Sequence, residues 1–350
     1  MRGPWASPPR HTARSSVGGM SAPATDDRSV SVVTSAASTT PLPRLPLARE
    51  AADRAGLERE DAALLPALWD DPATGVLWLR GGSAPVRDGR LVLTAPAGPV
   101  PEGLAFLGRR VAPADDAGRA VVLVTLDDGP GPLPAAGLDD VAWLGLRDVA
   151  AGLSDADAGV FVEAVALIHW HADHRHCGRC GGATDVESSG WVRRCRDCRA
   201  QHFPRTDPAV IVAITDERDR LLLGSNAAWP AGRFSCLAGF VEPGESLEHA
   251  VQREILEESG LRVVDPVYRG SQPWPFPRSL MVGYRARALP GQELVPDGEE
   301  ILALRWFTRE ELAEQVRGGG ITLPGAVSIA RALIEDWYGG TLPDAQTLIS

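Results

Sequence analysis

The chain has 350 residues, 44% hydrophobic and 23% charged, a length and composition that favour two or three soluble domains. Its formal net charge of −11 argues against broad electrostatic binding to nucleic acid or anionic membranes. A nucleotide substrate is not excluded, because clustered carboxylates can bind a metal ion that in turn binds phosphate. No apolar run of about 18 residues predicts a membrane-spanning helix. The basic N-terminus lacks the continuous apolar region of a secretory signal, so a cytoplasmic location is predicted.

Residues 1–45 are rich in Ser, Thr, Ala, Pro and Gly, and this composition predicts a disordered N-terminal extension. A first domain is predicted over residues 46–165. Short β-like runs, separated by turn-forming Gly, Pro and Asp, lie there at 75–80, 91–94 and 120–126. None of these runs carries chemistry that can be recognised from the residues alone.

A helix is predicted over residues 154–174, because Ser154 can cap it and apolar residues recur at helical spacing. The segment 166–203 is predicted to hold the end of this helix and a small metal-binding module, and a third domain is predicted over residues 204–340. Its predicted strands lie at 209–214, 220–223, 234–237, 261–270 and 280–288, and its predicted helices at 246–259, 308–317 and 324–338. Strands and helices mix without a regular βαβ repeat, which favours an α+β fold over a doubly wound sheet.

Four of the five cysteines form two CxxC pairs, Cys177 with Cys180 and Cys195 with Cys198, with fourteen residues between the pairs. Each pair can form a knuckle that directs two sulfurs at one ion, and the two glycines after the first pair let the backbone turn. This spacing predicts a structural Zn²⁺ site that four thiolates close completely. The alternatives are an iron–sulfur cluster and a redox pair, although a redox pair would not need the second CxxC. The fifth cysteine, Cys236, lies in an apolar run and is predicted to be a core residue.

Three glutamates, Glu254, Glu257 and Glu258, lie on a predicted helix that Ser246 can cap. Their i, i+3 and i+4 spacing places them on one helix face, where like charges destabilise a helix by roughly 0.2–0.5 kcal/mol per pair. Binding of Mg²⁺ or Mn²⁺, which prefer carboxylate oxygens, would explain such a cluster. From the three glutamates alone, a solvated acidic face beside Arg253 is an equal alternative.

The residues around this cluster favour the metal site. The segment 239–261 reads GFVEPGESLEHAVQREILEESGL and resembles the Nudix box at every defining position. The resemblance implies a loop–helix–loop metal site on a mixed-sheet α/β/α sandwich. It also implies hydrolysis of a nucleoside diphosphate that is linked to another group.

The resemblance also implies individual roles. Glu254, Glu257 and Glu258 would be metal ligands, with Glu257 or Glu258 also able to help deprotonate water. Glu245 and Arg253 would pair to hold the loop against the helix. The two remaining positions of the implied site are Gly239, which opens the box, and the backbone carbonyl of Ala238.

A second unusual segment, residues 271–279, reads SQPWPFPRS and alternates three prolines with two aromatic residues. This pattern predicts a rigid extended stretch that is neither a helix nor a central strand. Rigidly held rings can stack on bases, and Gln and Ser can bind ribose or amide groups. From composition alone, a structural loop with buried rings is the favoured alternative.

The location of this segment points to a substrate. A four-cysteine ribbon, a Nudix box and SQPWPFPRS in this order resemble the NADH pyrophosphatases of the NudC type, over residues 140–338 and only faintly over 46–139. The resemblance implies an N-terminal Nudix-like α/β domain, a small zinc ribbon and a C-terminal Nudix domain. It also implies a homodimer that hydrolyses NADH or NAD⁺ to NMN(H) and AMP. Removal of NAD caps from RNA 5′ ends, leaving a 5′-monophosphate, is implied as a further activity.

Further site residues follow from this resemblance. Glu300 would be an additional metal ligand, although the adjacent Glu299 is the other candidate for that role. Substrate contacts are implied at Gln272, Pro273, Trp274, Pro275, Phe276, Pro277, Arg278 and Ser279. Stacking on a base is implied at Phe240 and at Phe203, which stands where some relatives have Tyr. Looser alignment adds Arg147 and Ala330 as substrate contacts.

The predicted mechanism uses one or more Mg²⁺ or Mn²⁺ ions that neutralise the pyrophosphate while a glutamate helps to activate water. One alternative is a Nudix hydrolase of ADP-ribose or another dinucleotide. Another is a non-catalytic nucleotide sensor, although pure binding does not need the intact carboxylate set. A zinc-ribbon DNA-binding regulator fits the acidic chain poorly. Its only support is a local basic cluster at Arg193, Arg194, Arg196 and Arg199.

Overall fold

The computed structural model describes residues 40–49, 52–111, 113–114, 116–127 and 136–342. Within them the chain forms a mixed α+β structure with three sheets, which confirms the predicted fold class. Most of the predicted extension, residues 1–39, lies outside the described residues. Residues 40–45 instead belong to the packed chain, because the backbone N–H of Leu42 donates to the Arg269 carbonyl and Leu45 is buried.

The first sheet is mixed and has the strand order β1-β5-β6-β2-β3-β4, with β7 beside β3 and β2 parallel to β6. Its strands are β1 (Ala52–Asp53), β2 (Gly75–Arg80), β3 (Ser83–Arg87), β4 (Arg90–Leu91), β5 (Ala105–Arg110), β6 (Ala120–Leu126) and β7 (Ala142–Gly145). Its helices are α1 (Leu64–Asp70), α2 (Leu146–Val149) and α3 (Asp155–Asp173). The predicted strands at 75–80 and 120–126 are confirmed, whereas only Leu91 of the run 91–94 lies in a strand.

Helix α3 crosses the predicted domain boundary at residue 165. It begins after Ser154, whose hydroxyl accepts a hydrogen bond from the Asp157 backbone N–H, as predicted. Its apolar residues pack into the core of the first sheet as far as Trp170, which is buried. The helix therefore packs on the first sheet beyond residue 165, and the predicted domain bounds stay a prediction.

The second sheet is a three-stranded ribbon of β8 (Thr184–Glu187), β9 (Val192–Cys195) and β10 (Gln201–His202). Its β8–β9 turn docks on the first domain. The indole N–H of Trp191 donates to the Phe106 carbonyl over 2.8 Å, and the Arg59 guanidinium lies 3.6 Å from the centroid of that ring. Gly190 in this turn has a φ of 95°, and a Cβ there would lie 2.4 Å from that of Ala105, so only glycine fits.

The third sheet has the order β14-β15-β11-β12-β16, with β13 beside β11. Its strands are β11 (Asp207–Thr215), β12 (Leu221–Asn226), β13 (Leu237–Phe240), β14 (Val263–Trp274), β15 (Ser279–Ala288) and β16 (Ile301–Phe307). The helices are α4 (Leu247–Ser259), α5 (Arg309–Arg317) and α6 (Ile329–Tyr338). Alternate residues of β11 face opposite ways: Val210 and Val212 pack with α4, and Ile211 and Ala213 pack with α5 and α6. This is the predicted sandwich.

Some boundaries in this domain differ from prediction. The strand expected at 234–237 instead begins at Leu237, because Ser235 pairs with Gly224 only through an isolated bridge. The last helix begins at Ile329 rather than 324, since Ser328 caps it. Among the residues that the structure describes, no helix combines the length and apolar character that crossing a membrane requires.

A carboxyl group is buried in the middle of α3. The Glu163 side chain is 1% exposed, and Arg54 lies 2.7 Å from one of its oxygens without the alignment of a hydrogen bond. Burial raises the pKa of Glu163 to about 7, outweighing the opposing effect of Arg54 and Arg59. Between its ordinary value of 4.5 and this value, the native protein holds a proton that the unfolded chain has lost. Glu163 therefore destabilises the native state progressively as the pH rises through this window.

We expect Glu163→Gln to gain stability relative to the parent protein as the pH rises. At about pH 8 the gain in free energy of unfolding should be about 2–3 kcal/mol larger than at about pH 5, since one pKa unit corresponds to about 1.4 kcal/mol. Denaturant unfolding of both proteins at the two pH values measures this change. Glu60→Gln, which removes an exposed carboxyl nearby, is the control and should show no such trend. A stability difference independent of pH would contradict the prediction.

Candidate active site

Helix α4 presents the predicted carboxylates. The Ser246 hydroxyl accepts a hydrogen bond from the His249 backbone N–H over 3.2 Å, and Gly260 ends the helix at a φ of 72°. Its apolar face, formed by Ala250, Val251 and Ile255, is buried against the third sheet. The Ser246 cap agrees with the sequence prediction. The caps and the buried face fix the rotation of the helix and so the direction of its acidic face.

Arg253 links the loop before α4 to the acidic face. Its guanidinium donates to both carboxylate oxygens of Glu245, each at 2.8 Å, and to the Phe240 carbonyl at 2.9 Å. It also donates to Glu254 at 2.9 Å and to Glu257 at 3.0 Å. The bonds to Arg253 hold the pKa of Glu245 at about 2, so this pair stays ionised. The implied pairing of Glu245 and Arg253 is thus present, and it fixes the loop against the helix.

Strand β13 approaches α4 closely at Gly239. A Cβ at this position would lie 1.9 Å from the carboxyl carbon of Glu254. Any side chain would therefore displace that carboxylate, which explains the glycine at the start of the box.

Glu258 is the most perturbed carboxylate of the site. It is 5% exposed, and one of its oxygens is buried without a hydrogen-bond partner. Burial, followed by the charges of Glu254, Glu300 and Asp297, raises its pKa to about 8, while the Ala238 backbone N–H opposes the shift. A buried carboxylate with a free oxygen and anionic neighbours is the donor set that Mg²⁺ or Mn²⁺ prefers, so these residues fit a divalent cation. The Ala238 group near Glu258 is its N–H, and a ligand role for its carbonyl stays a prediction.

Two further carboxylates complete the cluster. Glu257 lies at its solvent edge, with a side chain 60% exposed. Glu300, directly before β16, contributes with its negative charge to the rise in the pKa of both Glu254 and Glu258, whereas Glu299 does not. This favours Glu300 over Glu299 as the additional acidic member, and its role as a metal ligand stays a prediction.

The four predicted zinc ligands meet in the ribbon. The sulfurs of Cys177, Cys180, Cys195 and Cys198 all lie within 4.8 Å of one another, as one tetrahedral ion requires. The backbone N–H groups of Arg179 and Cys198 point at Cys177 and Cys195 over 3.4 Å each, which is the knuckle geometry. Cys236 lies outside this cluster in the core of the third domain, and burial raises its pKa to about 12.

Residues 271–274 of the SQPWPFPRS segment form the end of β14, an edge strand, and have the predicted extended character. Residues 275–278 instead form the turn that leads into β15. Gln272 is completely buried: its oxygen accepts the Leu47 backbone N–H and its amide donates to the Val327 carbonyl. The rings of Trp274 and Phe276 form an edge-to-face pair and pack against the core of the first domain. This segment is therefore a contact between the first and third domains.

Side chains of the first domain secure the end of the segment. The Arg147 guanidinium lies 3.9 Å from the centroid of the Phe276 ring. Nδ1 of His169 on α3 lies 2.8 Å from the Pro275 carbonyl and therefore donates to it. Arg278 bonds Asp173 and Asp207 at 2.9 Å each. Pro273 and Ser279 are half-buried, and Pro277 is exposed.

The strand register shows which side of the third sheet these side chains face. Gly239 lies opposite Val210, and both face α4. Gln272 pairs with Met281 on β15. Met281 in turn pairs with Ala209 on β11, the residue directly before Val210. Because side chains alternate, Gln272 and Trp274 face the opposite side from the α4 glutamates.

Two residues that were predicted to contact the substrate are buried, and their predicted role stays a prediction. Gln272 is fully buried and has a structural contact. Ala330 is also buried, in the first turn of α6. By contrast, Phe203 and Phe240 are 61% and 59% exposed, so both rings are free to contact a ligand.

Three relevant residues were not found by sequence reasoning. Asp297 lies beside the carboxylate cluster, Asn226 bonds Glu300, and His169 holds the Pro275 carbonyl. The turn-forming sequence from Asp297 to Glu300 was the available signal for Asp297. Asn226 and His169 act across the fold, and only the structure brings them to their partners.

Two family models match the chain: the NUDIX domain over residues 205–322 and the NADH pyrophosphatase zinc ribbon domain over residues 172–203. The NAD-capped RNA hydrolase NudC of Mycobacterium bovis (strain BCG / Pasteur 1173P2) is 39% identical over 307 residues, which cover 83% of this chain and 94% of that protein. The NAD-capped RNA hydrolase NUDT12 of Homo sapiens is 40% identical over 197 residues, 53% of this chain and 42% of that protein. The chain therefore belongs to the Nudix hydrolase family, in the NudC-type branch that carries the NADH pyrophosphatase zinc ribbon.

Proposed function

We propose that this protein is a metal-dependent NAD(H) diphosphatase that hydrolyses the pyrophosphate of NADH or NAD⁺ to NMN(H) and AMP. We further propose that it removes NAD caps from RNA 5′ ends and leaves a 5′-monophosphate. The observation that carries the proposal is the buried, partnerless oxygen of Glu258 beside Glu254 and Glu300. Relatives named NAD-capped RNA hydrolases, similar along nearly their whole length in NudC, support the substrate class.

Glu254, Glu257, Glu258 and Glu300 would hold Mg²⁺ or Mn²⁺, with the Ala238 carbonyl as an additional ligand. When bound, the cation supplies charge neutralisation for the pyrophosphate and polarises its phosphorus. Glu258 or Glu257 takes a proton from water as the water oxygen bonds to phosphorus and the bridging P–O bond breaks. Arg253 holds the loop against the helix while these bonds form and break. Positioning and charge neutralisation supply most of the rate in this class of chemistry.

Zn²⁺ has a separate, structural role in this proposal. Four sulfurs leave no open coordination position for a substrate or a water. The ion would hold the ribbon whose β8–β9 turn docks on the first domain. Loss of the ion would therefore lower the stability of the protein before it lowered the catalytic rate.

The exposed rings Phe203 and Phe240 are the proposed stacking positions for a base. The backbone N–H of Val241 donates to the Pro208 carbonyl, which keeps the end of β13 beside the chain that follows Phe203. Exposed aromatic rings are also common at protein interfaces, and we propose a homodimer as the working form. A cytoplasmic location belongs to the same proposal.

Product analysis with NADH and Mn²⁺ tests the proposed function. We expect AMP and reduced NMN from the parent protein and no products from Glu258→Gln. NAD-capped RNA in the same assay should yield 5′-monophosphate RNA, and the ratio of kcat/KM values identifies the preferred substrate. Intact NADH after incubation with folded, Mn²⁺-loaded protein would contradict the proposal. Hydrolysis of ADP-ribose instead would indicate a Nudix enzyme of another specificity, and tight binding without turnover would indicate a sensor.

A further inference from the structure

We propose that Asn226 is a positioning residue whose side-chain amide fixes the carboxylate of Glu300 within the metal site. The inference rests on the proposed function, because Glu300 has this role only if the carboxylate cluster binds a divalent cation. The amide nitrogen of Asn226 donates a hydrogen bond to Oε1 of Glu300 over 3.1 Å. Asn226 is also the only asparagine in the 350-residue chain.

The backbone around this hydrogen bond is held from the β12 side. Asn226 pairs with Ile301 of β16 at a register shift in the ladder. The Asn226 side-chain oxygen accepts the Ala228 backbone N–H over 2.9 Å, which turns the chain after β12. The next residue, Ala227, donates its backbone N–H to the Glu300 carbonyl over 2.8 Å. One carboxamide therefore shapes the turn with its oxygen and holds Glu300 with its nitrogen.

The backbone of Glu300 is held from its own side by Asp297. Oδ1 of Asp297 accepts the backbone N–H groups of Glu299 and Glu300 at 2.8 Å each and that of Ile301 at 2.9 Å. These three bonds lower the pKa of Asp297, so its carboxylate stays ionised. The main chain of Glu300 is thus anchored before its side chain extends toward the cluster.

The side chain of Glu300 needs such a restraint. Glu300 is exposed, and an unrestrained glutamate in solvent occupies several rotamers. Its charge lies beside those of Glu254 and Glu258, and repulsion from them favours rotamers that point away. The Asn226 amide opposes this repulsion and leaves Oε2 of Glu300 available for a cation. Outer hydrogen bonds of this kind typically change metal affinity by about 10–100-fold.

Asn226→Ser tests the proposal with little change in the turn, because a serine hydroxyl can accept the Ala228 N–H but cannot reach Glu300. Mn²⁺ binding is measured by electron paramagnetic resonance without substrate. We expect the dissociation constant to rise by about tenfold, and the Mn²⁺ concentration for half-maximal NADH hydrolysis to rise by a similar factor. KM for NADH at saturating Mn²⁺ should change little. Glu299→Gln, an isosteric change at the adjacent exposed carboxylate, should bind Mn²⁺ like the parent.

A double-mutant cycle separates positioning from a general loss of structure. In a Glu300→Gln background, Asn226→Ser should have no further effect on Mn²⁺ affinity, because the amide acts only through Glu300. An equal loss of affinity in both backgrounds would overturn the proposal, as would an unchanged dissociation constant in Asn226→Ser. If the parent protein bound Mn²⁺ but left NADH intact, the proposed substrate would fail, and the Mn²⁺ cycle would still decide the role of Asn226.

Discussion

A Glu258→Gln variant is expected to lose about 10²–10⁴-fold in turnover of NADH, the range for loss of a positioned proton acceptor. Removal of a metal ligand adds to this loss. The same variant should fold normally. Its metal-free form should become more stable relative to the parent as the pH rises from 4.5 to about 8, because burial and like charges raise the pKa of Glu258 over this window. A variant that loses turnover but gains stability would show that this carboxylate serves function and destabilises the native state.

Steady-state kinetics and thermal unfolding in the presence of EDTA measure the two effects. Glu257→Gln is the informative comparison, because Glu257 is mostly exposed whereas Glu258 is buried. The larger fall in kcat at saturating Mn²⁺ identifies the residue that accepts the proton. Glu299→Gln serves as the control for loss of an acidic group near the site. Near-parent turnover in both Glu257→Gln and Glu258→Gln would remove the carboxylate cluster from the mechanism.

The second large effect is expected at the ribbon. Cys195→Ser should lose its stoichiometric Zn²⁺ and lower the unfolding temperature by roughly 10 °C or more, because binding of a structural zinc contributes directly to folding. Cys195 is fully buried, and its strand β9 begins directly after Trp191, whose indole N–H bonds the Phe106 carbonyl of the first domain. Loss of the ion should therefore loosen the ribbon and its docking turn together.

Zinc content by atomic absorption and unfolding by calorimetry check this expectation. Cys236→Ala is a matched control, since Cys236 is also a buried cysteine but lies in the core of the third domain. It should keep its zinc and lose only modest stability. A Cys195→Ser protein that unfolds like the parent but no longer hydrolyses NADH would show that the ion serves catalysis instead.

Much of the site could be predicted from the sequence because its ligands are close together along the chain. The four cysteines need only two knuckles, so their spacing alone predicts one metal site. The α4 glutamates need only one helix turn, but the resemblance to the Nudix box was needed to favour a metal site over a solvated acidic face. The same resemblance implied the pairing of Arg253 with Glu245. The α+β class followed from the irregular alternation of strands and helices.

Features that depend on strand pairing could not be predicted in this way. Composition predicts an extended SQPWPFPRS segment, which holds for residues 271–274 but not for the turn at 275–278. Only the register with β15 shows that Gln272 and Trp274 face away from α4. Glu300 and Asn226 meet because β12 pairs with β16, a contact between distant segments. The packing of α3 against the first sheet as far as Trp170 likewise depends on contacts between distant segments, which spacing along the chain does not show.

The contact between α3 and the Pro275 carbonyl has a consequence for how the protein can be divided. A fragment that starts at residue 204 would retain the whole Nudix box, yet Trp274 and Phe276 would lose the core against which they pack. The two aromatic rings and the side chain of Gln272 would then be exposed to water. Such an exposed apolar surface promotes aggregation. We therefore expect the isolated third domain to be less soluble than the whole chain, because the first domain covers these apolar side chains.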